Sequence, residues 1–281
     1  MLTASASMLA ESIHSAADTT NQGLLLLGGR RAKREATEEH QFGFGRERYF
    51  WSFVVSLMLF SLGGLFALYE GIEKLLHPHE LESPIVALSV LGVAVVLEGF
   101  SLRTAVRESN PLRHGRSWWS FIRDAKVPEL PVVLLEDVGA LAGLVCALAG
   151  VGAAMATGNA RWDGLGTIAI GVLLITIAAI LAVEMKSHLI GESADSETHE
   201  LIRATIADHP DVAQILMLRT LHLGPDDLLV AAKVDLHGPR DPTDSINEIE
   251  LRLRAAVPTA SMILIEPDHF RPDYGTPISL S

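Results

Sequence analysis

Five long apolar stretches dominate this chain, running roughly Leu2–Gly29, Tyr49–Leu76, Pro84–Val106, Pro128–Ala156 and Trp162–Leu189. A helix rises about 1.5 Å per residue, so each can cross a hydrocarbon core of about 30 Å. They therefore read as membrane-spanning helices. Trp51, Tyr69 and Trp162 fall near span ends, where amphipathic rings favour the interface. The apolar content supports the same reading: 49% of residues are hydrophobic but only 6% aromatic, so Ala, Val, Leu and Ile carry it.

Basic residues set the orientation. Arg30, Arg31, Lys33, Arg34, Arg46 and Arg48 follow the first stretch, and Arg107, Arg113, Arg116, Arg123 and Lys126 follow the third. The loops after the second and fourth offer little beyond Lys74 and Arg161. Positive loops stay in the cytoplasm, which puts both basic loops and the C-terminal tail there and Met1 outside. The first stretch lacks the basic lead and small-residue cleavage site of a secretory signal.

Ionisable residues inside the first stretch point to chemistry. His14 and Asp18, four residues apart, share a helical face, with Glu11 on that face three residues earlier. Charge at membrane depth is expensive and persists mainly where it faces a bundle interior, pairs, or binds an ion. An imidazole beside a carboxylate suits a divalent transition metal. The alternative is a helix end whose polar residues only reach headgroups. A net charge of −12 argues against nucleic acid as a partner, and the single Cys146 excludes a disulfide framework or a cysteine metal cluster.

After Gly191 the pattern becomes that of a small soluble domain. Asp195–His209 reads as an amphipathic helix opened by Asp195 or Ser196. Ala213–Leu223 and Leu228–Leu236 read as strands joined by the turn Gly224-Pro225-Asp226-Asp227. Asp244–Val257 reads as a second helix and Ser261–Glu266 as a third strand. The order αββαβ predicts a three-stranded sheet with two helices on one face. The expected division is a membrane domain over 1–190, an α+β domain over 191–270, and a frayed tail over 271–281.

Several motifs, taken in order, resemble the cation diffusion facilitator family of proton-coupled divalent-metal transporters. The run Ser7-Met-Leu-Ala-Glu11-Ser-Ile-His14-Ser-Ala-Ala-Asp18 is similar to that family's second-span motif. His40-Gln-Phe-Gly43-Phe-Gly45-Arg46 resembles the His-x-x-Gly-x-Gly-Lys/Arg stretch after it, Gly71-Ile-Glu-Lys-Leu-Leu-His77-Pro78 the third-span ending, and Leu218-Arg219-Thr220 the first cytoplasmic strand. The resemblance implies a six-span fold, a metal site between the family's second and fifth spans, and a metallochaperone-like cytoplasmic domain that makes a homodimer. On this register the family's first span is missing, which suggests a truncated or misassigned start.

The resemblance also assigns the site. His14 and Asp18 are the expected ligands from one span and Asp137 from the other, with Val133 where the family usually has His or Asp. Glu136, beside Asp137, is a further candidate as ligand or proton acceptor; Glu11, His40 and Glu98 are weaker candidates. Asp163 is expected to cap its helix, and Glu70 and Glu73 to be solvated. The family's dimer-interface zinc ligands fall at Leu216, Lys233 and Ile265, so no binuclear zinc cluster is expected, while His222, His237 and His269 read as solvated.

The implied function is efflux of a divalent cation against protons, with zinc ahead of manganese, cobalt or iron, and no prosthetic group. The implied location is a bacterial inner membrane with the tail cytoplasmic. No paired catalytic motif marks an intramembrane enzyme. A membrane scaffold that assembles partners through its tail is the reading of a different class.

Overall fold

A computed structural model describes residues 6–78, 84–113, 115–237 and 239–270; within these, the side chains of residues 6–18, 84 and 124 lie outside the description. The chain divides into two compact units, Met1–Arg30 with Arg48–Lys186, and Arg31–Glu47 with Ser187–Ser281.

The first unit is helical. It contains α1 (Ala6–Ala32), α2 (Glu47–Met58), a π-helical segment (Leu59–Leu65), α3 (Phe66–Leu76), α4 (Pro84–Leu112), α5 (Trp118–Asp124), α6 (Glu129–Thr157) and most of α7 (Arg161–Ile190). Among the described residues four helices are long and apolar enough to cross a membrane: Glu47–Leu76, which joins α2, the π segment and α3, then Ile85–Leu112, Glu129–Thr157 and Arg161–Ile190. The first expected span falls on α1. Sequence reading missed α5, a short helix that Ser117 caps by accepting the Ser120 amide.

Small residues bring these helices together, as they must where lipid is as apolar as leucine. A Cβ on Gly71 would lie 2.8 Å from the backbone nitrogen of Ile168 and 3.0 Å from Gly164 O, so α3 and α7 meet backbone to backbone. Leu25 of α1, Val55 of α2, Val132 of α6, and Leu174, Ile177 and Leu181 of α7 form the buried apolar cluster of the unit. On α4, Ile85, Val93, Val96, Leu97 and Phe100 are exposed, as lipid-facing side chains would be.

Ion pairs fix both ends of the long span. Arg48 at the start of α2 donates to both oxygens of Glu129 on α6, at 2.6 and 2.8 Å. At the other end Lys74 lies 3.1 Å from Asp163 and 3.3 Å from Glu70. Asp163 is thus an ion-pair partner in the first turn of α7. It is not the cap expected of it: Asn159 Oδ1 takes the Arg161 amide instead. Glu73 likewise has a partner, His77 at 2.9 Å.

The second unit carries α8 (Ser196–Ala207), β1 (Val212–Gly224), β2 (Asp227–Leu236), α9 (Pro242–Ala256) and β3 (Met262–Pro267), the expected αββαβ order. β1 and β2 pair antiparallel, and β3 joins β2 in parallel after the α9 crossover. Leu228, Val230, Ala232 and Val234 point alternately inward from β2 and pack with Ile202 and Ile206 of α8 and Ile249 and Leu253 of α9. Two aspartates start the helices: Asp195 accepts the Thr198 amide and Asp241 the Thr243 amide.

Candidate metal site

α1 runs unbroken through Glu11, His14 and Asp18, whose side chains lie outside the description. The first described polar residue on the helix that is buried is Asn21, 2% exposed. Its Nδ2 donates to Oε1 of Glu136 on α6 across 2.7 Å, although 115 residues separate the two in sequence. One turn further along α1, Leu25 packs in the same cluster as Val132, one turn before Glu136 on α6. Positions 21 and 25 of α1 thus meet positions 132 and 136 of α6. Helical spacing puts residues 14 and 18 in line with 21 and 25.

The acidic pair on α6 splits between neighbours. Consecutive helical residues diverge by about 100°, and here Glu136 is buried against α1 while Asp137 is half-buried toward α4. Ser101 of α4 donates its hydroxyl to Asp137 Oδ2 at 3.1 Å. Glu98, half-buried, precedes Ser101 by about one turn on α4. The α1 side of α6 therefore offers Glu136, and the α4 side offers Asp137 with Ser101 and Glu98 close in sequence to one another.

Sequence reasoning overlooked Asn21, Ser101 and the Arg48–Glu129 pair. Asn21 had a legible signal: it stands three residues after Asp18 in an apolar stretch, in phase with His14. Nothing in an unaligned sequence says that α4 and α6 are neighbours, so Ser101 had none.

The accessory positions have partners of their own. His40 stacks on Phe44 with ring centroids 4.7 Å apart, and the Arg34 guanidinium lies 4.4 Å from the same Phe44 ring. In the second unit, Lys233 lies 3.0 Å from Glu266 and 3.6 Å from Asp268, so an ammonium sits among the carboxylates at one of the family's ligand positions. His237 and His269 are exposed and approach Asp235 at 3.5 and 3.3 Å. His222 differs from expectation. It is buried at 7% exposure, within 3.4 Å of Gly224 O, because β1 continues inward past it.

Residues 1–190 match the family profile described as the cation efflux transmembrane domain. The chain is 34% identical over 238 residues to the human "Proton-coupled zinc antiporter SLC30A9, mitochondrial", covering 84% of this chain and 42% of that protein. It is 28% identical to "Metal tolerance protein C4" of Arabidopsis thaliana, with 82% of this chain and 51% of the relative covered. It is 24% identical to "Magnetosome protein MamB" of Magnetospirillum gryphiswaldense, with 80% and 71% covered. The chain thus spans less than half the length of the zinc antiporter it matches.

Proposed function

The chain belongs to the cation diffusion facilitator family, and on that premise we propose that it is a proton-coupled exporter of divalent cations with zinc as its preferred substrate. One observation carries the reading. The Asn21–Glu136 hydrogen bond brings the helix of His14 and Asp18 against a buried carboxylate on α6. The printed name of the human relative, a zinc antiporter, supports the choice of substrate.

In this reading His14, Asp18 and Glu136 hold the cation. Asp137, on the α4 side with Ser101, carries the exchanged proton, so the acidic pair divides the two tasks. Metal needs a neutral imidazole and ionised carboxylates, so loading releases protons and acid favours unloading. One imidazole with carboxylates suits zinc, and an oxygen-richer shell moves preference toward manganese. Rocking of helix groups around a midplane site supplies alternating access. Residues 1–190 carry the transport. Residues 191–270 form the dimerising unit, in which α8 and α9 pack on one face of the sheet. We place the protein in a bacterial inner membrane with that unit in the cytoplasm.

Proteoliposomes loaded with a pH-sensitive dye test the reading. Added zinc drives proton movement in the wild type, and Asp18→Ala and Glu136→Ala abolish it while both variants still insert. Zinc-independent proton traces in the wild type favour a scaffold that assembles partners.

A further inference from the structure

Among the described residues of the membrane unit, Asn21 Oδ1, Ser52 Oγ and Arg113 Nε are buried without a hydrogen-bond partner, and Asn21 Oδ1 is the one beside Glu136. Asn21 is 2% exposed, and its Oδ1 is buried with no hydrogen-bond partner among the described residues. A buried carbonyl oxygen left without a hydrogen bond is costly, so such an atom calls for an occupant. The orientation of the amide is fixed by its neighbour. A carboxylate facing it accepts, so Nδ2 turns to Glu136 and Oδ1 is presented on the other side. The unpartnered oxygen therefore lies beside the α1–α6 carboxylate and one turn from Asp18.

An amide oxygen is a neutral, hard donor, of the kind that binds divalent cations alongside carboxylates. It binds without needing to lose a proton, unlike His14 and the acids. We propose that Asn21 is a further ligand of the transported cation, contributing Oδ1 while its Nδ2 holds the Glu136 carboxylate in place. The inference rests on the assignment of α1 and α6 as the cation site. Its consequence is selectivity: the amide oxygen lets a zinc-type site also accept an oxygen-preferring ion such as Mn2+.

The test is uptake by the full chain in proteoliposomes, with Zn2+ as substrate and Mn2+ as competitor, for the wild type, Asn21→Leu and Asn21→Asp. Asn21→Leu removes the oxygen and weakens Mn2+ competition about tenfold relative to Zn2+, equivalent to ~1.4 kcal/mol. Asn21→Asp keeps an oxygen and makes it anionic, so Mn2+ competes better than in the wild type, whatever happens to the absolute rate. A residue that only orients Glu136 slows both cations by one factor. An unchanged ratio in both variants therefore overturns the inference, and if Asn21→Leu fails to insert, an unchanged ratio in Asn21→Asp does so alone. A wild type that takes up neither ion overturns the transport reading itself, and the inference with it.

Discussion

Glu136 and Asp137 are neighbours in sequence that serve different helices: Glu136 accepts from Asn21 on α1, and Asp137 from Ser101 on α4. In the proposed reading, a site at that seam keeps cation and proton on adjacent residues without placing both carboxylates in one shell. Glu136→Gln should lower zinc affinity by at least about 100-fold, a loss of ~2.7 kcal/mol. Asp137→Asn should leave affinity within about threefold, roughly 0.7 kcal/mol, and uncouple zinc movement from protons. Calorimetry in detergent and dye-loaded vesicles read the two effects separately. Equal loss of affinity in both variants would place the two carboxylates in a single shell.

The glycine seam makes a second prediction, with its control on the same molecule. A methyl on Gly71 meets the backbone of α7 at 2.8 Å, whereas one on Gly92 of α4 meets nothing within 4 Å. Overpacking of this kind costs about 1–3 kcal/mol. Gly71→Ala should lower the thermal midpoint of the detergent-solubilised protein, and Gly92→Ala should leave it unchanged or raise it slightly, since alanine favours helix. Matching midpoints for the two variants would remove the seam from the list of stabilising contacts.

Assembly should be indifferent to metal. Lys233 already pairs with Glu266 and Asp268, so a cation at that place would meet an ammonium. The intact protein should remain dimeric by light scattering after chelation. A shift to monomer on chelation, reversed by zinc, would show that other residues of the unit bind metal.

The two aspartate caps give the second unit a defined acid limit. Burial pushes the Asp195 carboxyl up, but hydrogen bonds from Thr198 outweigh it and hold the group below the ordinary carboxylate range. The Thr243 amide lowers Asp241 in the same way. Both folded values lie below the unfolded value of 3.8, so their stabilisation is present above that pH and is lost as pH falls through the lowered values. Hydrogen-exchange protection in the intact protein, taken relative to the intrinsic rate at each pH, should therefore fall at the starts of α8 and α9 below about pH 4. Asp195→Ser keeps a cap that does not titrate and should remove the pH dependence from α8 alone.

The second unit was largely legible in the sequence because its signals are local. Asp195 before an amphipathic run, the Gly224-Pro225 turn and the alternation through Leu228, Val230 and Ala232 each announce an element, and the helix and strands fall within two residues of expectation. The membrane unit yielded four of the five expected spans among the described residues, but not its contacts. A uniformly apolar run does not say which face meets which neighbour, so the Asn21–Glu136 contact, the Arg48–Glu129 clasp and the π-helical segment at Leu59–Leu65 were invisible. The same limit affected the acidic pair: the sequence named Glu136 and Asp137 as candidates but not their separate partners, Asn21 on α1 and Ser101 on α4. His222 was misjudged for a related reason, since a histidine near a strand end is solvated or buried according to what lies across it.

X-ray absorption at the zinc edge, on the zinc-loaded protein, addresses the proposed site most directly. A shell built from His14, Asp18, Glu136 and Asn21 shows one imidazole with oxygen donors, at about 2.0–2.2 Å. His14→Ala should abolish the imidazole signal, and Glu136→Gln should reduce zinc occupancy. Two or more imidazoles in the wild-type spectrum, or a spectrum unchanged by either substitution, would place the metal elsewhere in the chain and contradict the site.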